Sequence, residues 1–204
     1  MLSSLPTKDL TVSDLREVSA IVMGTSAGGL QALSAILPVF PAYTPFPVLV
    51  VIHIPQDKKS LLVELFSPKC ALQVREPDDK QEISPGIWFA PPGYHLLVEQ
   101  DRTFALSVDD PVNYSRPSID VLFQSAAEVY GKNLLGIVLT GASRDGANGS
   151  RSIVEQGGIV MVQDPKEAES STMPLAALEA TNAQCVAPLS RIADLLRDLT
   201  VRDQ

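Results

Sequence analysis

The stretch 21–30, IVMGTSAGGL, constrains the fold more than any other. An apolar, β-branched run over residues 18–23 reads as a strand, and Leu30, Leu33, Ile36 and Leu37 recur at the spacing of one helix face. Between them Gly24-Thr25-Ser26-Ala27-Gly28 fits G-x-S-x-G, a corner that exposes a serine hydroxyl between strand and helix. Helix N-termini present free N–H groups and a positive dipole end, so such a corner suits acyl transfer. A tight βα turn with Ser26 as helix N-cap is the plain alternative. Two phosphate-binding readings fail. The G-x-G-x-x-G spacing is absent, no acidic residue ends the next strand, and no Gly-Lys-Ser/Thr follows.

A buried α/β sheet needs a sizeable core, and 204 residues with 45% hydrophobic content supply one. The net charge of −8 argues against a phosphate-backbone surface as the main business of the chain. Cys70 and Cys185 have no metal-ligand spacing and read as free thiols in a reducing compartment. The first residues lack the apolar core of a signal peptide, and no apolar run approaches the ~20 residues that span a bilayer. The chain reads as a cytoplasmic protein with no direct membrane insertion and no nucleic-acid partner.

Residues 1–17 are polar and weakly periodic, and read as an N-terminal arm or linker stub before one α/β domain over 18–204. Strand signals at 46–54, 134–140, 159–163 and 185–187 alternate with helical patterns at 29–37, 60–66, 118–130, 145–156, 173–180 and 192–199. Pro55 ends the second strand. Residues 72–108 differ in texture, with short β-type pieces at 72–75, 87–90, 96–99 and 104–108 separated by turn signals. The expected fold is a doubly wound, mostly parallel sheet with helices on both faces and an antiparallel meander or edge extension around 72–108.

Ligands of such sheets bind at the carboxyl ends of the strands. Ser26 follows the first strand, His53 ends the second, and Asp145 follows the strand at 134–140. Together they offer a nucleophile, a base and an orienting carboxylate. His53 stands in an otherwise apolar strand, where an ionisable group is costly without a partner. His95, the other histidine, reads as a rim or substrate-contact residue. Asp120 and Asp164 also fall near element ends and compete for the third role, and Asp145 could instead cap the helix that follows it. The order Ser…His…Asp differs from the Ser…Asp…His of α/β-hydrolases.

Five motifs occur in one order: Gly24-Thr25-Ser26-Ala27-Gly28-Gly29, Ile52-His53-Ile54-Pro55, Arg116-Pro117-Ser118-Ile119-Asp120-Val121-Leu122-Phe123, Leu139-Thr140-Gly141 with Asp145-Gly146, and Thr172-Met173-Pro174. In these the chain resembles the catalytic domain of the chemotaxis protein-glutamate methylesterases (CheB-type), over residues 18–199. The resemblance implies a serine hydrolase that releases methanol from γ-glutamyl methyl esters on the cytoplasmic helices of chemoreceptors, with glutamine deamidation as a second activity. It implies Ser26 as nucleophile, His53 as general base and acid, and Asp145 as orienting carboxylate. Ala27, Gly28, Ala142, Arg116 and Met173 become candidate substrate or oxyanion residues. No metal or organic cofactor is implied. A separate receiver or methyltransferase protein is a candidate partner.

Three departures stand out: Ala27 replaces a frequent threonine, Ala142-Ser143-Arg144 replaces the common Met-Gly-Asn, and residues 1–17 are too short for a receiver domain. Two other functions compete. One is an inactive docking module on the same fold. The other is a hydrolase for a different small ester.

Overall fold

The computed structural model describes residues 10–54, 60–181 and 185–201. Nine strands and six α-helices are formed among them: β1 Ala20–Thr25, α1 Gly29–Ile36, β2 Pro47–Ile52, α2 Leu62–Phe66, β3 Val74–Arg75, β4 Gly86–Phe89, β5 His95–Val98, β6 Phe104–Ser107, α3 Ile119–Tyr130, β7 Leu134–Val138, α4 Ala147–Glu155, β8 Ile159–Gln163, α5 Thr172–Thr181, β9 Cys185–Ala187 and α6 Leu189–Val201. Seven strands form one sheet in the order β3-β4-β2-β1-β7-β8-β9. Every pairing within it is parallel.

Strand periodicity splits the sheet's side chains between two cores. From β1, Ile21 and Met23 join α1, α2 and α6 residues such as Leu33, Phe66 and Leu196. Ala20 and Val22 face the other way, toward Ile119 and Phe123 of α3, Ile153 of α4 and Ala177 of α5. Both faces are therefore covered, which is why β1, β2 and β7 are buried at every position. Among the described residues no helix is long and apolar enough to cross a membrane.

The antiparallel part is smaller than the turn signals suggest. Among the strands of the described residues β5 and β6 alone pair antiparallel, as a hairpin on the α3 face, with one isolated antiparallel bridge between Glu82 and Thr103 beside it. β3 and β4 are parallel members of the main sheet. The connection 76–85 returns the chain to the starting edge and hydrogen-bonds along the way to Arg102, just ahead of β6, and to Phe104 at its start. A run of turn residues marks where a chain reverses, not how the flanking strands pair.

The segment ahead of β1 is not a free arm where it is described. Leu10, Val12 and Leu15 are buried in the α6-side core, and a short 3₁₀ turn spans Val12–Leu15. Alternation is too short there to register as a helix or strand pattern. Pro55 lies outside the described residues; β2 ends at Ile52.

Because the chain runs from β1 outward to β2 and later returns to place β7 on the other side of β1, the two connections leave a crevice at the carboxyl ends of β1 and β7. Gly24 makes the wall of this crevice thin. A methyl group added there would overlap the Ile119 side chain. Gly24→Ala is accordingly expected to cost about 1–3 kcal/mol of stability by overpacking, read as a lower denaturation midpoint at an unchanged denaturant slope.

Candidate active site

The serine corner is built from backbone bonds. Ser26 N–H donates to Thr140 O at 3.0 Å, and Gly29 N–H returns to Ser26 O at 2.9 Å. The Thr140 hydroxyl donates to Ala27 O at 2.8 Å, so the end of β7 fastens both residues of the corner. Gly28 adopts φ 77° as the residue before α1, the left-handed conformation that glycine takes without a Cβ penalty. The N–H groups of Ala27 and Gly28 have no partner among the described residues, and neither has the Ser26 hydroxyl. Donors without a partner beside a half-buried hydroxyl at a helix N-terminus are the kind of group that can receive negative charge.

Thr25 pairs with Ile52, so Ser26 and His53 follow directly beyond a matched pair of residues at the same sheet edge. They line one cleft together with Gly28, Leu30 and Glu169. His53 Nε2 lies 2.9 Å from Asp145 Oδ2. A carboxylate only accepts, so Nε2 carries the proton and Nδ1 is left as the basic nitrogen. The hydroxyl hydrogen-bonded to Nδ1 is not that of Ser26. It belongs to Ser115, at 3.4 Å.

Asp145 is fully buried and receives five donors. Oδ1 accepts from Asn113 Nδ2 at 3.0 Å, Ser118 Oγ at 2.8 Å and Asp120 N–H at 3.1 Å. Oδ2 accepts from Ile119 N–H at 2.6 Å as well as from His53. It therefore caps α3, the helix across the crevice, whereas Gly146 is the residue preceding α4. Asp120 returns the arrangement by accepting from Gly146 and Gly149 N–H at 3.0 and 2.7 Å, at the start of α4. Each helix thus lends a carboxylate to the N-terminus of the other, where the dipole favours it. Asn113 bridges the pair, with a second bond to Asp120 Oδ2 at 2.9 Å.

The two carboxyl groups are pushed in opposite directions. Burial alone would raise Asp145, but His53, the Ile119 N–H, Asn113 and Ser118 outweigh it and hold the carboxyl below its ordinary range. Burial raises Asp120, and the Asp145 charge adds to that, against the donors Gly149, Asn113 and Gly146. A depressed folded value means that Asp145 stabilises the fold above the ordinary carboxylate range and loses this as pH falls through the folded value. Urea unfolding from pH 6 to pH 3 should show this acid-side loss in the wild type, and Asp145→Asn should lack that contribution.

The remaining sequence candidates separate. Ala27 and Gly28 stand at the cleft, and Ala142 is exposed on the loop after β7. Arg116 Nη1 donates to the carbonyls of Val108 and Asp109 at 2.6 and 2.9 Å, so its guanidinium braces the loop before α3. Met173 is 1% exposed, and its thioether lies against Gly141 in the loop after β7. Arg144 pairs with Glu179 at the surface. His95 is not a rim residue: it is 2% exposed, accepts from Ser118 N–H on Nδ1, and places Nε2 3.2 Å from Asp110 O. The start of α3 is thereby anchored where its N–H groups meet Asp145. Asp164 accepts from Lys166 N–H and closes its own turn. Ser118 is the residue before α3, and it gives its hydroxyl to Asp145 and not to the helix's own N–H groups. Ser115 and Asn113 escape sequence reasoning, since short polar residues in loops carry no pattern, and Thr140 stands in a motif whose sequence gives it no role of its own.

The family model for the CheB methylesterase matches residues 21–196. A putative protein-glutamate methylesterase/protein-glutamine glutaminase of Leptospira interrogans is 46% identical over 177 residues, covering 86% of this chain and 92% of that protein. A protein-glutamate methylesterase/protein-glutamine glutaminase of Trichodesmium erythraeum is 37% identical over 182 residues, 87% of this chain but 52% of its own length. The crystal structure of the Thermotoga maritima CheB methylesterase catalytic domain superposes with a TM-score of 0.83 at 31% identity, covering 89% of this chain and 98% of that one. The α/β sheet, the cleft at its carboxyl edge and these matches together place the chain in the CheB methylesterase family.

Proposed function

We propose that this chain is a serine hydrolase that removes methyl groups from γ-glutamyl methyl esters of a protein substrate, the cytoplasmic helices of chemoreceptors, and converts glutamine side chains by the same route. The reading places its action in the cytoplasm, in chemotaxis signalling. The observation that carries it is the cleft that Ser26 shares with His53, whose ring is held by the buried Asp145, at a corner where the Ala27 and Gly28 N–H groups have no partner among the described residues.

In the mechanism, His53 Nδ1 takes the Ser26 proton as Oγ attacks the ester carbonyl. The carbonyl oxygen gains negative charge, and the Ala27 and Gly28 N–H groups at the α1 N-terminus receive it. Asp145 holds Nε2–H, fixes the tautomer and stabilises the imidazolium. The tetrahedral intermediate collapses, the C–O bond to the methoxy group breaks, and Nδ1–H protonates the departing methoxy oxygen, so that methanol leaves. A water molecule then gives its proton to Nδ1 and attacks the acyl-serine. Collapse of that intermediate frees the glutamate carboxylate and returns the proton to Ser26. With a glutamine substrate ammonia leaves in place of methanol.

The test is methanol release from a methylated receptor fragment, run beside a short-chain ester. Release from the fragment at a kcat/KM well above that for the short ester is expected. Hydrolysis of the short ester alone would transfer the site to another substrate.

A further inference from the structure

Residues 112–115 form a tight turn whose ends exchange backbone bonds, Val112 N–H to Ser115 O at 3.1 Å and Ser115 N–H to Val112 O at 2.9 Å. Both central residues are left-handed without being glycine, Asn113 at φ 50° and Tyr114 at φ 62°. For a residue as bulky as tyrosine that conformation is uncommon and costly, so its surroundings must impose it. One side of the turn imposes it visibly: Asn113 is clamped between Asp120 and Asp145, and Ser115 reaches His53 Nδ1. The tip of the turn is open. Tyr114 is fully exposed at the tip, with Val112 also exposed beside it. A large aromatic held out at the edge of a catalytic cleft is the kind of side chain that anchors protein interfaces.

The Ser115 contact has its own meaning. Its hydroxyl sits on the nitrogen that must receive the Ser26 proton, and at 3.4 Å it is long for a hydroxyl donor. It occupies the base weakly and can be displaced.

We infer that the turn 112–115 is a substrate-recognition element coupled to the base: Ser115 holds His53 Nδ1 in the resting enzyme, and a protein substrate docking on Tyr114 withdraws it so that Ser26 takes its place. The partner is the polypeptide that carries the neutral γ-glutamyl ester or amide, engaged outside the cleft by its own surface. Ser115 is on this account a positioning residue acting through His53, and the inference rests on Ser26 being the nucleophile.

Wild type, Ser115→Ala and Tyr114→Ala are compared on p-nitrophenyl acetate and on a helical protein carrying γ-glutamyl methyl esters. Ser115→Ala should raise kcat for the small ester about 2- to 10-fold, the worth of one modest hydrogen bond, and raise it less for the methylated protein. Tyr114→Ala should lower the ratio of kcat/KM, protein over small ester, about tenfold through the KM for the protein. A small-ester kcat that stays level or falls in Ser115→Ala overturns the inference, and so does an equal loss on both esters in Tyr114→Ala. The ¹⁵N resonances of the His53 ring score the contact without turnover. Ser115→Ala should move Nδ1 more than Nε2, and an unmoved Nδ1 overturns the inference. Failure of the wild type on the methylated protein defeats the proposed substrate instead, while the small-ester and resonance measurements still decide the turn.

Discussion

Ser26→Ala is expected to lower turnover by up to about 10⁶-fold, the scale of losing the nucleophile of a serine hydrolase, with the denaturation midpoint almost unchanged. The structural half of this follows from what the hydroxyl touches. It has no hydrogen-bond partner among the described residues, and the corner is held by the Ser26 backbone N–H, by Gly29 N–H and by Thr140. Alanine keeps all of these. The kinetic half follows from chemistry, because no acyl-enzyme forms without Oγ and the free donors at Ala27 and Gly28 then stabilise only the slow attack of water. Steady-state methanol release and urea unfolding on the same preparation check both halves.

Asp145→Asn carries the second large effect, a loss of turnover of as much as about 10⁴-fold through the imidazole tautomer. Here activity and stability should fall together. All five groups around the carboxylate are donors, so the NH₂ of an asparagine meets a donor whichever way it is turned. If its oxygen stays on Ile119, its nitrogen opposes Ser118, Asn113 and the Asp120 N–H. If it turns over, the nitrogen faces His53 Nε2 and drives the ring toward the tautomer that presents Nδ1–H to Ser26. A buried donor left unmatched costs about 1–3 kcal/mol. Asp120→Asn separates the roles, since Asp120 reaches the start of α4 and not His53. It should lose stability with a much smaller loss of turnover. Parallel measurement of kcat and unfolding free energy on the two variants decides this, and the reverse ranking would give Asp120 the orienting role.

How much of this was legible in the sequence depended on whether a pattern was periodic or spatial. The buried strands announced themselves as unbroken apolar runs such as FPVLVVIHI, and the switch from strand to helix around Ser26 followed from glycine spacing and apolar periodicity. Strand-end placement then drew Ser26, His53 and Asp145 to one edge. The pairing of β3 and β4 was not legible, because antiparallel and parallel short strands share the same alternation and turn residues. The role of His95 was hidden for a similar reason: its partners Asp110 and Ser118 lie 15 and 23 residues away, and only the fold brings them to the two ring nitrogens. Likewise an aspartate just before a helix looks like that helix's cap. That Asp145 caps α3 instead of α4 depends on the packing of two helices, which no local window contains.

The central claim is that Ser26, and not the hydroxyl seen on His53 Nδ1, is the group that attacks. Incubation with an excess of a fluorophosphonate, which phosphonylates activated serines, followed by proteolysis and peptide mass mapping, tests it directly. The account predicts a single adduct on the peptide bearing Ser26, formed at wild-type rate or faster in Ser115→Ala and absent in Ser26→Ala. An adduct on Ser115, or undiminished labelling of Ser26→Ala, would contradict it.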